Sequence, residues 1–242
     1  MDGVLADFET AFRDVEVQLF GDEAPPAPEQ PEARAAEEER AAKRDAERAE
    51  APSAEEETAA KAGAPDEPRV TTRRKVDRVW AAIEATPNFW STLKPIDPGA
   101  VRRIREMTVR HGWEVFFITQ RPRTAGESVQ RQTQRWLVEQ GFDWPSVLVM
   151  PGSRGKAAAA LHLDYLVDDS PKNCVDVISE SKARALLIVR EPDERIDASA
   201  RRLGIGVAPS IAKCLDILDE ATEVRSEPTL LGRLARMVGW RA

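Results

Sequence analysis

Four short stretches of the chain carry side chains that could do chemistry. The first opens the sequence as Met1-Asp2-Gly3-Val4-Leu5-Ala6-Asp7-Phe8. The second, Val115-Phe116-Phe117-Ile118-Thr119-Gln120-Arg121-Pro122, reads as an apolar strand that delivers a hydroxyl. The third, Gly155-Lys156, puts an ammonium at a helix start. The fourth, Leu166-Val167-Asp168-Asp169-Ser170, is an apolar strand that delivers two carboxylates. Adjacent carboxylates suit a hard divalent cation such as Mg2+, which takes one or two of them and keeps several waters. Taken singly, each signal has an ordinary reading. An Asp pair caps a helix readily. Thr119 alone is a strand-end hydroxyl, Lys156 a surface lysine and Asp2 a terminal residue. The weight lies in their combination at the ends of elements.

The elements that must position these residues follow from periodicity. Phe8, Phe12, Val15, Val17, Leu19 and Phe20 precede a long polar segment, and Val76, Val79, Trp80 and Ile83 recur at helical spacing after it. Thr86-Pro87-Asn88 ends that helix. From Pro95 onward, helices alternate with short apolar runs. Helices are expected near 98–111, 126–140, 156–163, 173–182 and 211–221, and strands near 114–119, 147–150, 165–167 and 185–189. Val101, Ile104, Met107 and Val109 give the first of these helices its apolar side, and His111-Gly112 closes it. Such alternation predicts an α/β fold, a Rossmann-like parallel sheet with helices on both faces. Chemistry in such sheets gathers at the carboxyl ends of the strands, where the polar residues above fall.

Composition separates this core from the rest. Residues 22–69 contain no Val, Ile, Leu, Met, Phe, Trp or Tyr, and their fifteen acidic and seven basic residues give them a net charge of −8. A stretch with nothing large and apolar to bury cannot offset its ordering entropy. It is expected to be a disordered acidic insertion, inert or able to contact a basic partner. The whole chain carries −7, so the remainder is near neutral and gives no strong nucleic-acid-binding signal. Two cysteines and two histidines cannot build a thiolate or multi-histidine zinc centre. No run reaches the ~20 apolar residues of a membrane span, and the N-terminus is not a basic-then-apolar leader. The expectation is a cytoplasmic protein.

Together the four stretches resemble the haloacid dehalogenase (HAD) superfamily, and most nearly its 5'(3')-deoxyribonucleotidase-like phosphatases, whose first motif reads Asp-x-Asp-Gly-Val-Leu-Ala-Asp-Phe. The resemblance covers residues 1–8 and roughly 88–218. It implies a HAD-like fold organised as a remnant of the first core motif (1–8), a small helical cap (9–21 and 70–94), the acidic insertion (22–69), the α/β core (95–221) and a C-terminal tail (222–242). It further implies a Mg2+-dependent phosphomonoester hydrolase acting on a small phosphorylated substrate, a nucleotide being one candidate. By the same resemblance Asp168, Asp169 and Asp2 hold the metal, Thr119 and Lys156 bind phosphate, and Asp2 is the general acid and base. The family's nucleophile, the aspartate that forms an aspartyl-phosphate, stands one position ahead of Met1 together with an apolar strand. The expected nucleophile is therefore upstream of Met1, and the chain from Met1 is expected to be inactive alone. The alternative is a catalytically inactive HAD-like ligand- or protein-binding module.

Further residues have two readings each. Phe89 and Trp90 could stack a substrate base or pack the cap onto the core. Arg121 and Arg123 could meet a phosphate or sit in a solvated loop. His111 reads as a helix-end residue and Cys174 as a buried small thiol. Residues 230–240 read as a short basic amphipathic helix.

Overall fold

The structure is a computed structural model that describes residues 1–21 and 67–226, and within these the side chains outside 67–72 and 224–226. The acidic stretch up to residue 66 and the amphipathic stretch 230–240 lie outside the described residues. Packing divides the chain into two compact units. One is built from Met1–Pro98 and Val115–Ser153, the other from Gly99–Glu114 and Arg154–Ala242.

In the first unit, strand β1 (Ala6–Asp7) runs straight into helix α1 (Phe8–Phe20). Asp7 caps that helix by accepting from Thr10 N at 3.0 Å. Helix α2 (Glu67–Ala85) follows, then a 3-10 turn (Phe89–Ser91) and strand β2 (Lys94–Pro95). β1 and β2 pair antiparallel, Ala6 opposite Pro95. Residues 67–69, expected at the end of the insertion, instead open α2. Phe8 and Phe12, one helical turn apart on α1, both bury their rings. Both rings meet Trp80 of α2, at centroid separations of 5.4 and 5.6 Å. Strand β3 (Phe116–Thr119), helix α4 (Val129–Glu139) and strand β4 (Ser146–Val149) complete this unit. β3 and β4 run parallel, with Thr119 opposite Val149. Ser128 caps α4, so that helix begins three residues later than the expected 126.

The second unit opens with helix α3 (Ala100–His111), whose Val101, Ile104 and Met107 are buried. Val109, expected on that same side, is exposed, because it lies five residues and about 140° round the helix from Ile104. Gly112, at φ 68°, takes the left-handed turn that ends α3. The unit continues through helix α5 (Arg154–Ala160), strand β5 (Tyr165–Asp168), helix α6 (Pro171–Glu180), strand β6 (Arg184–Ile188), helix α7 (Glu194–Arg202), strand β7 (Gly206–Ala208) and helix α8 (Ile211–Ser226). The strands form a parallel sheet in the order β5-β6-β7, Asp168 standing opposite Leu187. Arg103 of α3 reaches α8 through Ala212 O at 3.1 Å and Asp216 at 2.7 Å, and His111 Nε2 lies 2.6 Å from Asp219.

The fold is thus mixed α/β with parallel strands, as expected. The single expected parallel sheet appears as a two-stranded and a three-stranded sheet. Among the described strands, β3 pairs only with β4 and β5 only with β6. α7 and β7 were not anticipated, since Glu194–Arg202 is mostly polar and Gly206–Ala208 is too short for a period-2 pattern. The last helix runs to Ser226, five residues past the expected 221. Among the described residues, no helix is long and apolar enough to cross a membrane.

Candidate functional site

Thr119 closes β3 and is fully buried. Two residues on, Arg121 lies on the same side of the extended chain, since alternate residues of such a segment face one way. Its side chain has no exposed surface, which rules out the solvated-loop reading. Three partners hold it. Nε donates to both carboxylate oxygens of Asp2, at 3.0 and 2.9 Å, and Nη2 donates to Oδ1 of the same group. Nη1 donates to Thr133 Oγ1 of α4 at 2.9 Å. The guanidinium carbon lies 4.8 Å from the centre of the Trp90 ring. Thr119 Oγ1 donates to the second oxygen of Asp2 at 3.3 Å.

Asp2 is therefore a buried anion among donors. Burial pushes its carboxyl up. The charge and hydrogen bonds of Arg121, the terminal ammonium and the Thr119 hydroxyl together outweigh burial and leave it below the usual carboxylate range. A carboxyl held in this way has no proton to give near neutral pH. The role of general acid expected for Asp2 requires that this ion pair first be broken.

The loop that carries Arg121 is fixed along its length. Trp90 Nε1 donates to Pro122 O at 2.9 Å, and Trp90 N donates to Gln132 Oε1 at 3.0 Å. Gln132 Nε2 in turn donates to Thr124 Oγ1 and Glu127 O. Asn88 accepts from Glu127 N at 2.8 Å. Phe89 and Trp90, the candidates for a substrate cap, are both buried here. Trp90 packs against Phe8 with centroids 5.6 Å apart and against Phe89 at 5.2 Å. The Trp90 ring has Phe8 and the Arg121 guanidinium as neighbours.

In the second unit, Asp168 is the last residue of β5 and is buried, with Asp169 next to it half-buried. Asp168 Oδ1 accepts from Ser170 N at 2.9 Å and from Asn173 Nδ2 at 3.0 Å. Ser170 caps α6, and Pro171 takes the first turn, where a missing N–H costs nothing. The turn thus aims one carboxylate by two donors at a strand end. Both acids raise the negative potential nearby. Burial, reinforced by Asp168 and Asp169, pushes the Cys174 thiol well up, so it stays a protonated, inert core residue. Lys156 is exposed on α5, whose preceding residue, Gly155, lies against the backbone of α6: an added Cβ would stand 2.1 Å from Asp176 O.

Each group of expected site residues can be compared with what a hard cation needs. Among the described residues, no three His, Cys, Asp or Glu side chains form a group that could hold a metal ion. Two adjacent carboxylates with an amide nearby still fit Mg2+, which fills most of its shell with waters and a ligand's phosphate. Asp2, both of whose oxygens face Arg121, does not fit that role as placed here. The structure brings Asp2 to Thr119 and sets Asp168 beside Asp169. Thr133 and Asn173 were missed as parts of these clusters, and Arg121, read as able to meet a phosphate, was not foreseen as the partner of Asp2. For Arg121 a signal was present in the two-residue spacing from Thr119.

No family model matches the chain. Over 87 residues it is 30% identical to a protein of Bacillus cereus named "Putative nucleotidase", a stretch that covers 34% of this chain and 43% of that protein. The chain therefore spans less than half the length of that curated relative, and it is to a protein of that name that its sequence is similar.

Proposed function

We propose that the chain is a nucleotidase-like phosphomonoester hydrolase of the HAD superfamily that depends on Mg2+. The observation that carries this reading is the turn after β5. There a buried carboxylate is aimed by Ser170 N and Asn173 Nδ2, and a second carboxylate follows at once. The likeness to a Bacillus cereus protein named as a nucleotidase supports the same reading and suggests a small phosphorylated substrate.

In this proposal Asp168 and Asp169 hold Mg2+, which when bound neutralises and orients the phosphate. Thr119 donates its hydroxyl to a phosphate oxygen, and Lys156 supplies a positive charge against the clustered acids. Asp2 exchanges a proton with the leaving and attacking oxygens once freed from Arg121. The nucleophile is the aspartate that the family places one position ahead of Met1, and it forms an aspartyl-phosphate. The test compares the 242-residue chain with a version extended by the residues encoded in frame ahead of Met1. Nucleoside monophosphates and simple phosphomonoesters are assayed with Mg2+ and with EDTA. Turnover by the extended protein alone, abolished by EDTA and cut by about 100-fold or more in Asp169→Asn, is expected. An extended protein that is inert across the panel overturns the proposal.

One observation favours a second reading, a catalytically inactive ligand-binding module. Asp2 is held as the partner of Arg121 rather than as an available acid. An inert extended protein that still binds phosphate would select it.

A further inference from the structure

We propose that the outer edge of β4 is a self-association surface for a second copy of this chain in antiparallel register, and that Gln130 and Gln134 of α4 hold it closed. The surface is separate from the two clusters described above and lies within the first compact unit.

The ladder defines the edge. β4 runs parallel to β3, and among the described strands it has no other partner. Met150 N donates to Thr119 O at 3.0 Å. Backbone groups alternate sides along a strand. Leu148 therefore turns its N–H and C=O toward β3 as Met150 does, and Val147 and Val149 turn theirs away. Such a row of outward groups is a template for another strand, and proteins often blunt it with charged side chains. Here no residue between Asp143 and Arg154 is charged. Two of those residues are large, apolar and exposed, Val149 at 40% and Trp144 at 95%.

The closure comes from α4. Gln130 Nε2 donates to Val147 O at 3.2 Å, and Gln134 Nε2 donates to Pro145 O at 3.5 Å. Four residues of helix rise about 6 Å, and two residues of strand span about 6.6 Å. One side of α4 therefore meets every second carbonyl of the strand, and two amide groups lie where a partner's N–H groups would enter. Pro145 and Pro151 have no N–H to offer, which confines an incoming strand to Val147 and Val149. Trp144 takes a left-handed backbone, φ 55°, just ahead of Pro145, and so turns the chain out of the line of the strand. The geometry also selects the occupant. About a two-fold axis beside Leu148, Val147 of one copy stands opposite Val149 of the other, and each such pair exchanges both of its N–H···O=C bonds. The edge is its own complement. Each chain carries −7, and an uncharged stretch is where two such chains can meet. Pairing uses both edges, so association stops at two.

The test reads mass by analytical ultracentrifugation of the full chain at about 100 µM, a range in which exposed edges associate. The unaltered protein is expected to sediment as a monomer, and Gln130→Ala/Gln134→Ala as a species of about twice that mass. Both changes place a better helix former on α4, so the far-UV circular dichroism is expected to stay the same. Adding Val149→Pro removes an outward N–H and leaves the bonds to β3 in place, so it is expected to restore the monomer. A double variant that stays monomeric overturns the proposal. Association that survives Val149→Pro also overturns it, since side chains such as Trp144 would then be the cause, and so does growth beyond the dimer. An unaltered chain that already associates, and that Val149→Pro alone makes monomeric, overturns the role of the two glutamines. Should the triple variant not fold, hydrogen exchange replaces it. The Val147 and Val149 amides of the double variant are expected to slow by about 10-fold or more on association, and amides that stay as fast as in the unaltered chain overturn the pairing.

Discussion

The Arg121 side chain lies away from water, with Asp2, Thr133 and Trp90 each taking one part of its surface. Removing the guanidinium leaves a buried carboxylate whose remaining side-chain hydrogen bond comes from the Thr119 hydroxyl. Arg121→Gln is therefore expected to destabilise the fold by about 3–5 kcal/mol, read from urea midpoints at neutral pH. The pH dependence has a definite sign. The Asp2 carboxyl is held below its ordinary value in the folded chain, so its contribution is complete above the unfolded pKa of about 3.9. That contribution drains away as the pH falls through the folded value. The gap between the unaltered protein and Arg121→Gln should be widest at neutral pH and narrow as the pH falls, because without the guanidinium burial raises the Asp2 carboxyl and the variant takes up a proton first. A gap that stays unchanged down to about pH 3 would assign the effect to another group. Part of this cluster was legible in the sequence. Thr119 ends an apolar run, and that run forms β3. The partnership with Asp2 was not, because a separation of 119 residues leaves no local trace. An arginine beyond a strand end reads the same whether it faces water or a carboxylate.

At the scale of elements, Gly155 shows how close two helices come. In isolation Gly→Ala inside a helix gains about 1 kcal/mol. Here the new methyl would stand 2.1 Å from the backbone oxygen of Asp176, and a backbone atom cannot turn aside as a side chain can. Overpacking of this kind costs about 1–3 kcal/mol, so Gly155→Ala is expected to lower stability despite the better helix former. A raised Tm would show that α5 and α6 separate freely. The displacement should also reach the turn that α6 presents, where Ser170 and Asn173 aim Asp168. Periodicity revealed the elements that have long apolar patterns, α3, α4 and β6 among them. It missed α7, whose nine residues bury only Ala200. It also misplaced Val109, because a run of apolar residues was read as one side when the helical turn splits it.

For the molecule as a whole, the long acidic stretch and the pairing of α1 with α2 make separate predictions. Phe8 and Phe12 meet Trp80 across the two helices, so their packing does not depend on residues 22–66. Loop-closure entropy changes slowly with length. Replacing 22–66 by a short flexible linker is expected to leave the Tm within about 3 °C. A loss of 10 °C would show that the stretch is part of the fold. The α3 helix makes the opposite case. Its buried Val101, Ile104 and Met107 belong to a unit whose remaining residues begin at Arg154. A fragment ending at Ser153 is expected to expose that apolar stripe and to precipitate or bind a hydrophobic dye. The same interleaving has a cost in time. Arg103 and its partner Asp216 are 113 residues apart in the chain. At roughly 5–20 residues per second, a ribosome would present α3 about 6–20 s before α8 emerges to receive it. For that interval the nascent chain carries an unsheltered amphipathic helix, and chaperones that bind such stripes have a window on this protein there.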